Sequence, residues 1–160
     1  MKSSLSQSRR ILFRYMLLVI SLISIDRITK YLMRSVQETY TVNEYLSFTL
    51  QYNRGISWGM FHSENMLLFY VLTAIIALLI GAFCLYAFVR YHNNFGITFE
   101  LMVIAGAFSN LIDRLLYGGV VDFILLSYKS WSWPVFNIAD MAIVVGLCCM
   151  MMVGYFSNER

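Results

Sequence analysis

Charge is scarce in this chain: of its 160 residues 13% are charged and 59% hydrophobic, and the mean hydropathy is +0.66. About a quarter of a soluble domain is ordinarily charged, so the composition excludes that class and indicates an integral membrane protein. The net charge of +3 comes from scattered basic residues. Without a basic run or an aromatic-interleaved stripe nothing can track a phosphate backbone, which argues against nucleic acid as a partner. Cysteine is sparse too. Cys84, Cys148 and Cys149 all lie inside apolar runs, as small core-filling side chains do, and a disulfide framework is not expected. The chain has no internal repeat and no low-complexity linker, so it reads as a single domain over residues 1–160.

What the chain has in quantity is long apolar runs. A span needs about 20 mainly apolar residues, and four stretches qualify, at about 11–33, 66–89, 97–117 and 136–156. The N-terminus, with Lys2, Arg9 and Arg10 ahead of an apolar stretch, has the form of a secretory signal peptide. No small-x-small cleavage site follows, and the stretch runs into Asp26, Arg27 and Lys30, so an uncleaved first span is expected. Basic residues near the span ends set orientation. Lys2, Arg9, Arg10, Arg14, Arg90 and Arg160 fall on one side, and Arg34, Arg54, Arg114 and Lys129 on the other, which predicts both termini in the cytoplasm.

Two larger segments then lie outside. In the first, 34–65, Leu46, Phe48, Leu50 and Tyr52 alternate with Ser47, Thr49, Gln51 and Asn53, which predicts a strand with one buried face, followed by a turn at Asn53-Arg54-Gly55. The second, 118–135, holds two glycines, a short apolar strand-like run, Trp131, Trp133 and Pro134; tryptophans suit a membrane interface. The predicted fold is a mainly α membrane protein: a four-transmembrane-helix bundle with a small extracytoplasmic β-sheet and an outer-face loop.

With this topology Asp26, Lys30, Asn110, Asp113, Arg114, Asp122 and Asp140 all approach the outer end of the bundle. Asp26 and Lys30, Gly106 and Asn110, and Asn110 and Arg114 are each four apart, hence on one helix face, and Gly106 would let another chain approach closely. Interhelical hydrogen bonds and ion pairs would explain such residues equally well, and for Asp113, beside Arg114, an ion pair is the expected role. Asp122 and Asp140 differ, having no cation three or four residues away in helical register. Two carboxylates close together in a poorly solvated site cannot both ionise easily, so the pair shares a proton. Such a dyad can take a proton from water and give one to a carbonyl or leaving amine, the chemistry of aspartic peptide hydrolysis. His62 and His92 fall on opposite membrane sides with no Cys or Glu at ligand spacing, so no metal is expected. Lys129 and Ser130, adjacent on an extended segment, point apart and read as a solvated loop. Met150 to Met152 and the Cys148-Cys149 pair would fill the inner half of the bundle or face lipid.

Four motifs in order, "DRITKYL" at 26–32, "NRGISWG" at 53–59, "GAFSNLIDRLLYGGVVDFI" at 106–124 and "FNIAD" at 136–140, give a resemblance covering nearly the whole chain. The chain resembles the lipoprotein signal peptidase (signal peptidase II) family, aspartic membrane peptidases of bacterial lipoprotein maturation. The resemblance implies that Asp122 and Asp140 are the catalytic dyad and that Asp26, Lys30, Asn53, Asn110, Arg114 and Asn137 match the family's supporting positions. It also implies a diacylglyceryl-modified prolipoprotein as substrate, cut just before the modified cysteine, within the bacterial inner membrane and toward its outer face, with no cofactor. Membrane lipid is the other expected partner, and a monomer the expected state. Two departures are present. Ser57-Trp58 stands where the family usually has a small residue and Phe, and Met141 where a Ser commonly follows the last aspartate. Two other classes fit the polar residues in isolation: a small transporter or ion pathway, which would need polar residues through the full membrane depth, and an assembly factor whose polar cluster only binds helices together.

Overall fold

The computed structural model describes residues 2–36, 38–55 and 65–157. It is mainly helical, with a small antiparallel sheet. Helix α1 (Lys2–Met33) runs unbroken because no Gly or Pro occurs before Gly55. Strands β1 (Tyr40–Thr41) and β2 (Leu46–Asn53) follow. Helix α2 (Met66–His92) starts at Asn65, whose side chain accepts the Leu67 N–H at 2.9 Å. Helix α3 (Thr98–Tyr117) stops at Gly118, whose φ of 66° is the left-handed conformation that closes helices, its N–H donating to the Arg114 carbonyl at 3.2 Å. Strands β3 (Val120–Tyr128) and β4 (Trp131–Ser132) and helix α4 (Ile138–Ser157) complete the chain.

Contacts fix the helix directions. Tyr15 meets Ile97, and Asp26 meets Ser109, so α1 and α3 run parallel. Arg90 meets Glu100 near the α2–α3 turn, while Arg114 stacks near Phe69 at the other end, so α2 runs opposite to α3. A side chain on Gly106 would collide with the Ala139 carbonyl and meet Ile143 at 2.9 Å; one on Gly146 would meet the Phe99 carbonyl at 2.8 Å. These two glycines let α4 pack antiparallel and close against α3, the most extensive helix pairing in the bundle. One end of the bundle therefore gathers the start of α1 and the ends of α2 and α4. The other gathers the end of α1, the starts of α2 and α4, and the sheet.

The sheet order is β1-β2-β3-β4, all antiparallel. Gln51 pairs with Asp122 and Asn53 with Val120, with a bulge between Phe48 and Gln51. The outer-face loop expected over 118–135 is thus largely strand, its β3 residues supplying the partner that β2 needs. β2 does not bury one face cleanly: Leu46 to Leu50 are all half-buried, with β1 and β3 along its edges and α1 the helix packed against it.

Among the described residues one helix, α2, is long and apolar enough to cross a membrane, and Ile138–Gly154 of α4 is a shorter apolar run. α1 and α3 include Arg14, Asp26, Arg27, Lys30, Glu100, Asp113 and Arg114, charges that withhold the same status from composition alone. α2 is no core helix of a soluble protein, since Leu67, Leu78, Leu79 and Phe88 are each more than 60% exposed. The cysteines are not core fillers either: Cys84 and Cys148 are exposed and Cys149 half-buried, because they sit on the outward faces of α2 and α4. His62 and the Ser57-Trp58 departure lie outside the described residues, and Met141 is exposed, its side chain outward on α4.

Candidate active site

The sheet end of the bundle holds a buried polar cluster assembled from α1, β2, α3, β3 and α4. At its base is Lys30, fully buried, whose ammonium donates to Asp26 at 2.8 Å, Asp113 at 2.7 Å and the Asn110 amide oxygen at 2.8 Å. All three donors are thereby used. Arg27 pairs with Asp113 as well, and donates to the Ser109 carbonyl at 3.3 Å. Asp113 therefore finds its cations on α1 and not in the adjacent Arg114, because successive helix residues point about 100° apart. Arg114 donates one terminal nitrogen to the Gly55 carbonyl. Its other, Nη1, is buried without a partner among the described residues.

Asp26 fixes more than Lys30. Its Oδ2 accepts the Ser109 hydroxyl at 2.6 Å, and its Oδ1 accepts the Ala139 backbone N–H at 2.9 Å, in the first turn of α4. That turn is also closed by a reciprocal capping box: the Asp140 N–H donates to Asn137 Oδ1 at 2.9 Å, and the Asn137 N–H donates to Asp140 Oδ2 at 3.2 Å. The start of α4 is tied to β3 by Phe136, whose carbonyl accepts from the Phe123 and Ile124 N–H groups at 3.0 and 2.8 Å. The strand carrying Asp122 and the helix carrying Asp140 are thus locked to each other.

Asp122 and Asp140 are both held by amides. The Asn137 side chain donates to Asp122 Oδ1 at 2.6 Å and the Asn53 side chain to Asp122 Oδ2 at 3.1 Å. Asn110 donates to Asp140 Oδ1 at 2.8 Å. Asn137 touches both aspartates, one through its side chain and the other through its backbone. Asn53 is oriented in turn by the Gly55 N–H, which donates to its oxygen at 2.9 Å. Among the described residues neither aspartate makes an ion pair, whereas Asp26 and Asp113 both do. Asp122 is 2% exposed. Burial pushes its carboxyl up to about 7, with the charge of Asp140 acting in the same direction and the bonds from Asn53 and Asn137 opposing. Arg27, Lys30 and Arg114 supply three positive charges against the four carboxylates of Asp26, Asp113, Asp122 and Asp140, so one proton on the last pair balances the cluster.

Every residue singled out from the sequence for the site lies here: Asp26, Lys30, Asn53, Asn110, Arg114, Asp122, Asn137 and Asp140 in the network, and Gly106 at the α3–α4 contact beneath it. No group of metal-ligating side chains occurs among the described residues. The model of the family described as "Signal peptidase (SPase) II" matches residues 18–156. The chain belongs to the signal peptidase II family. It is an enzyme of the aspartic peptidase class. A lipoprotein signal peptidase of Pelagibacter ubique is 32% identical over 153 residues, 91% of each chain. One from Blochmanniella pennsylvanica is 40% identical over 106 residues, 65% of this chain and 64% of that one. A solved structure described as a bacterial membrane enzyme, determined by the in meso method, superposes with a TM-score of 0.69 at 27% identity over 92% of each chain. Signal peptidase II membership accounts for the motif set, but two members of the network and one pairing escaped the reading of individual residues. Arg27, Ser109 and the α1 partnership of Asp113 could have been found from spacing, since Arg27 and Lys30 are three apart and Ser109 and Asp113 four apart on facing helix stripes.

Proposed function

We propose that Asp122 and Asp140 are the acid–base pair of this signal peptidase II, acting on prolipoproteins. The enzyme removes signal peptides from prolipoproteins. The finer reading is that the substrate cysteine already carries a diacylglyceryl group and that the bond cut is the one just before it. The observation that carries the dyad is the contrast among four buried or half-buried aspartates: Asp26 and Asp113 are neutralised by cations, while Asp122 and Asp140 are bridged by Asn137 with no cation of their own.

The chemistry follows from one shared proton. The ionised aspartate removes a proton from water as the water oxygen bonds to the scissile carbonyl carbon, and the protonated one donates to the carbonyl oxygen. The resulting gem-diol collapses: the C–N bond breaks, a hydroxyl proton returns to a carboxylate, and the leaving nitrogen takes the other carboxyl proton. Asn53, Asn110 and Asn137 hold both carboxylates in register, and Asp26 and Lys30 hold the helix start on which Asp140 sits. Arg114, tethering Gly55, supports the strand end that carries Asn53. The architecture supports four spans formed by the four helices, since α1 and α3 run one way and α2 and α4 the other, and Asp26, Arg27, Lys30, Asp113 and Arg114 of α1 and α3 turn inward to the network. Both termini are then cytoplasmic, the site faces the outer side of a bacterial inner membrane, and residues 1–160 act as one domain and as a monomer. The test is cleavage of a diacylglyceryl-modified prolipoprotein by the purified protein, with mass spectrometry of the new N-terminus. A product beginning at the modified cysteine, absent with Asp122→Asn, is expected. Equal cleavage of the unmodified precursor would remove the lipid from the specificity.

A further inference from the structure

Just beyond the end of α1 stands a cation that the peptidase chemistry does not use. Arg34 is exposed. Its Cζ lies 4.0 Å from the centroid of the Tyr117 ring, at the end of α3, and its Nε donates to the Tyr52 hydroxyl at 3.3 Å. A cation after a helix C-terminus is favoured by the helix dipole, which accounts for its charge but not for being gripped from two other elements. Both grips are neutral. Among the described residues no carboxylate pairs with Arg34. A guanidinium would ordinarily be mobile on its long stem, yet this one is oriented in advance with its charge uncompensated.

A planar, pre-oriented guanidinium is matched to phosphate, which it can bind through two parallel N–H bonds. The surroundings restrict the source. The ends of α1 and α3 that bring Arg34 and Tyr117 together expose Tyr31, Leu32, Leu115 and Leu116 by 58 to 71%, an apolar flank next to a cation between two tyrosines. A phosphate above and acyl surface beside it is the layout of a membrane phospholipid at the interface. We infer that Arg34, Tyr52 and Tyr117 form a headgroup site for the phosphodiester of an anionic phospholipid, seated at the α1–α3 rim beside β2. The placement at the interface rests on the four-span reading; the binding itself does not depend on peptidase activity, and its test reads binding directly.

Full-length protein, delipidated in detergent, is titrated with phosphatidylglycerol and bound lipid is counted by native mass spectrometry. Arg34→Gln is expected to weaken the tightest lipid about tenfold, the size of losing a hydrogen-bonded charge contact, while cleavage of prolipoprotein stays at the wild-type rate. Arg34→Lys keeps the charge but loses the fork, and Tyr117→Leu loses the stack, so each is expected to bind more weakly than wild type. Equal lipid affinity for wild type and Arg34→Gln would overturn the site, and full affinity in Arg34→Lys would reduce it to plain surface charge. If millimolar inorganic phosphate displaced the lipid from wild type, the ligand would be free phosphate and the lipid assignment would fail.

Discussion

Replacing Asp122 by Asn should change how stability depends on pH more than it changes stability itself. The Asp122 carboxyl is pushed from its ordinary 3.8 to about 7, chiefly by burial. Over that window the native protein holds a proton that the unfolded chain has lost, so wild-type stability falls as pH rises and levels off above about 7. Between pH 5 and pH 7 the fall attributable to Asp122 is two pH units at 1.36 kcal/mol each, about 3 kcal/mol. The Asn variant cannot lose this proton. It does misplace one hydrogen bond, since an amide offers one acceptor where Asn53 and Asn137 both donate; that cost, about 1–3 kcal/mol, is the same at every pH. The quantity to measure is therefore the variant-minus-wild-type difference in unfolding free energy, by denaturant titration in detergent micelles at pH 5 and pH 8. It should shift by about 3 kcal/mol in favour of the variant. Parallel curves for the two proteins would refute a proton held by Asp122 in the native state.

Activity should decline above pH 7 by about tenfold per pH unit, because the proton that polarises the carbonyl is lost there; kcat/KM on a fluorogenic lipopeptide over pH 5 to 9 reads this. Gly106→Ala should destabilise by about 1–3 kcal/mol, since the new methyl meets the Ala139 carbonyl. Gly81→Ala, in a helix position with nothing within 4 Å, should stabilise by about 0.5–1 kcal/mol, as thermal unfolding of the pair will tell. Lys30→Met leaves Asp26 without a cation inside the bundle and should cost about 3–5 kcal/mol in denaturant titration.

Much of the fold was legible because the signals are local. Four apolar stretches, the alternation over 46–53 and the turn at Asn53-Arg54-Gly55 each reflect a period set by the element's own geometry. The sheet was half legible. The strand-like run after Gly119 is readable, but its pairing with β2 joins residues about 70 positions apart and leaves no mark on either. Convergence of Asp26, Lys30, Asn110, Asp122 and Asp140 followed from depth alone. Their division into neutralised and free carboxylates did not, because which cation meets which carboxylate depends on helix rotation, and Asp113 reaches α1 where its neighbour Arg114 had been the expected partner. The Asn137–Asp140 capping box was hidden by the apolar run around it, which makes the helix seem to begin at 136. The cysteines misled because, in a bundle whose outward faces are apolar, an apolar context does not mean burial.

The central claim is that the two aspartates without cations carry the chemistry, and single-turnover cleavage by Asp140→Asn tests it most directly. Asn keeps the size of the side chain and one of the two acceptors that Asn110 and the Asn137 N–H use, and the Asp140 N–H bond to Asn137 Oδ1 does not involve the replaced side chain, so the fold, checked by circular dichroism and melting temperature, should persist. The predicted result is a rate at least about 100-fold below wild type, with lipopeptide binding retained. A folded Asp140→Asn protein that cleaves at the wild-type rate would contradict the account.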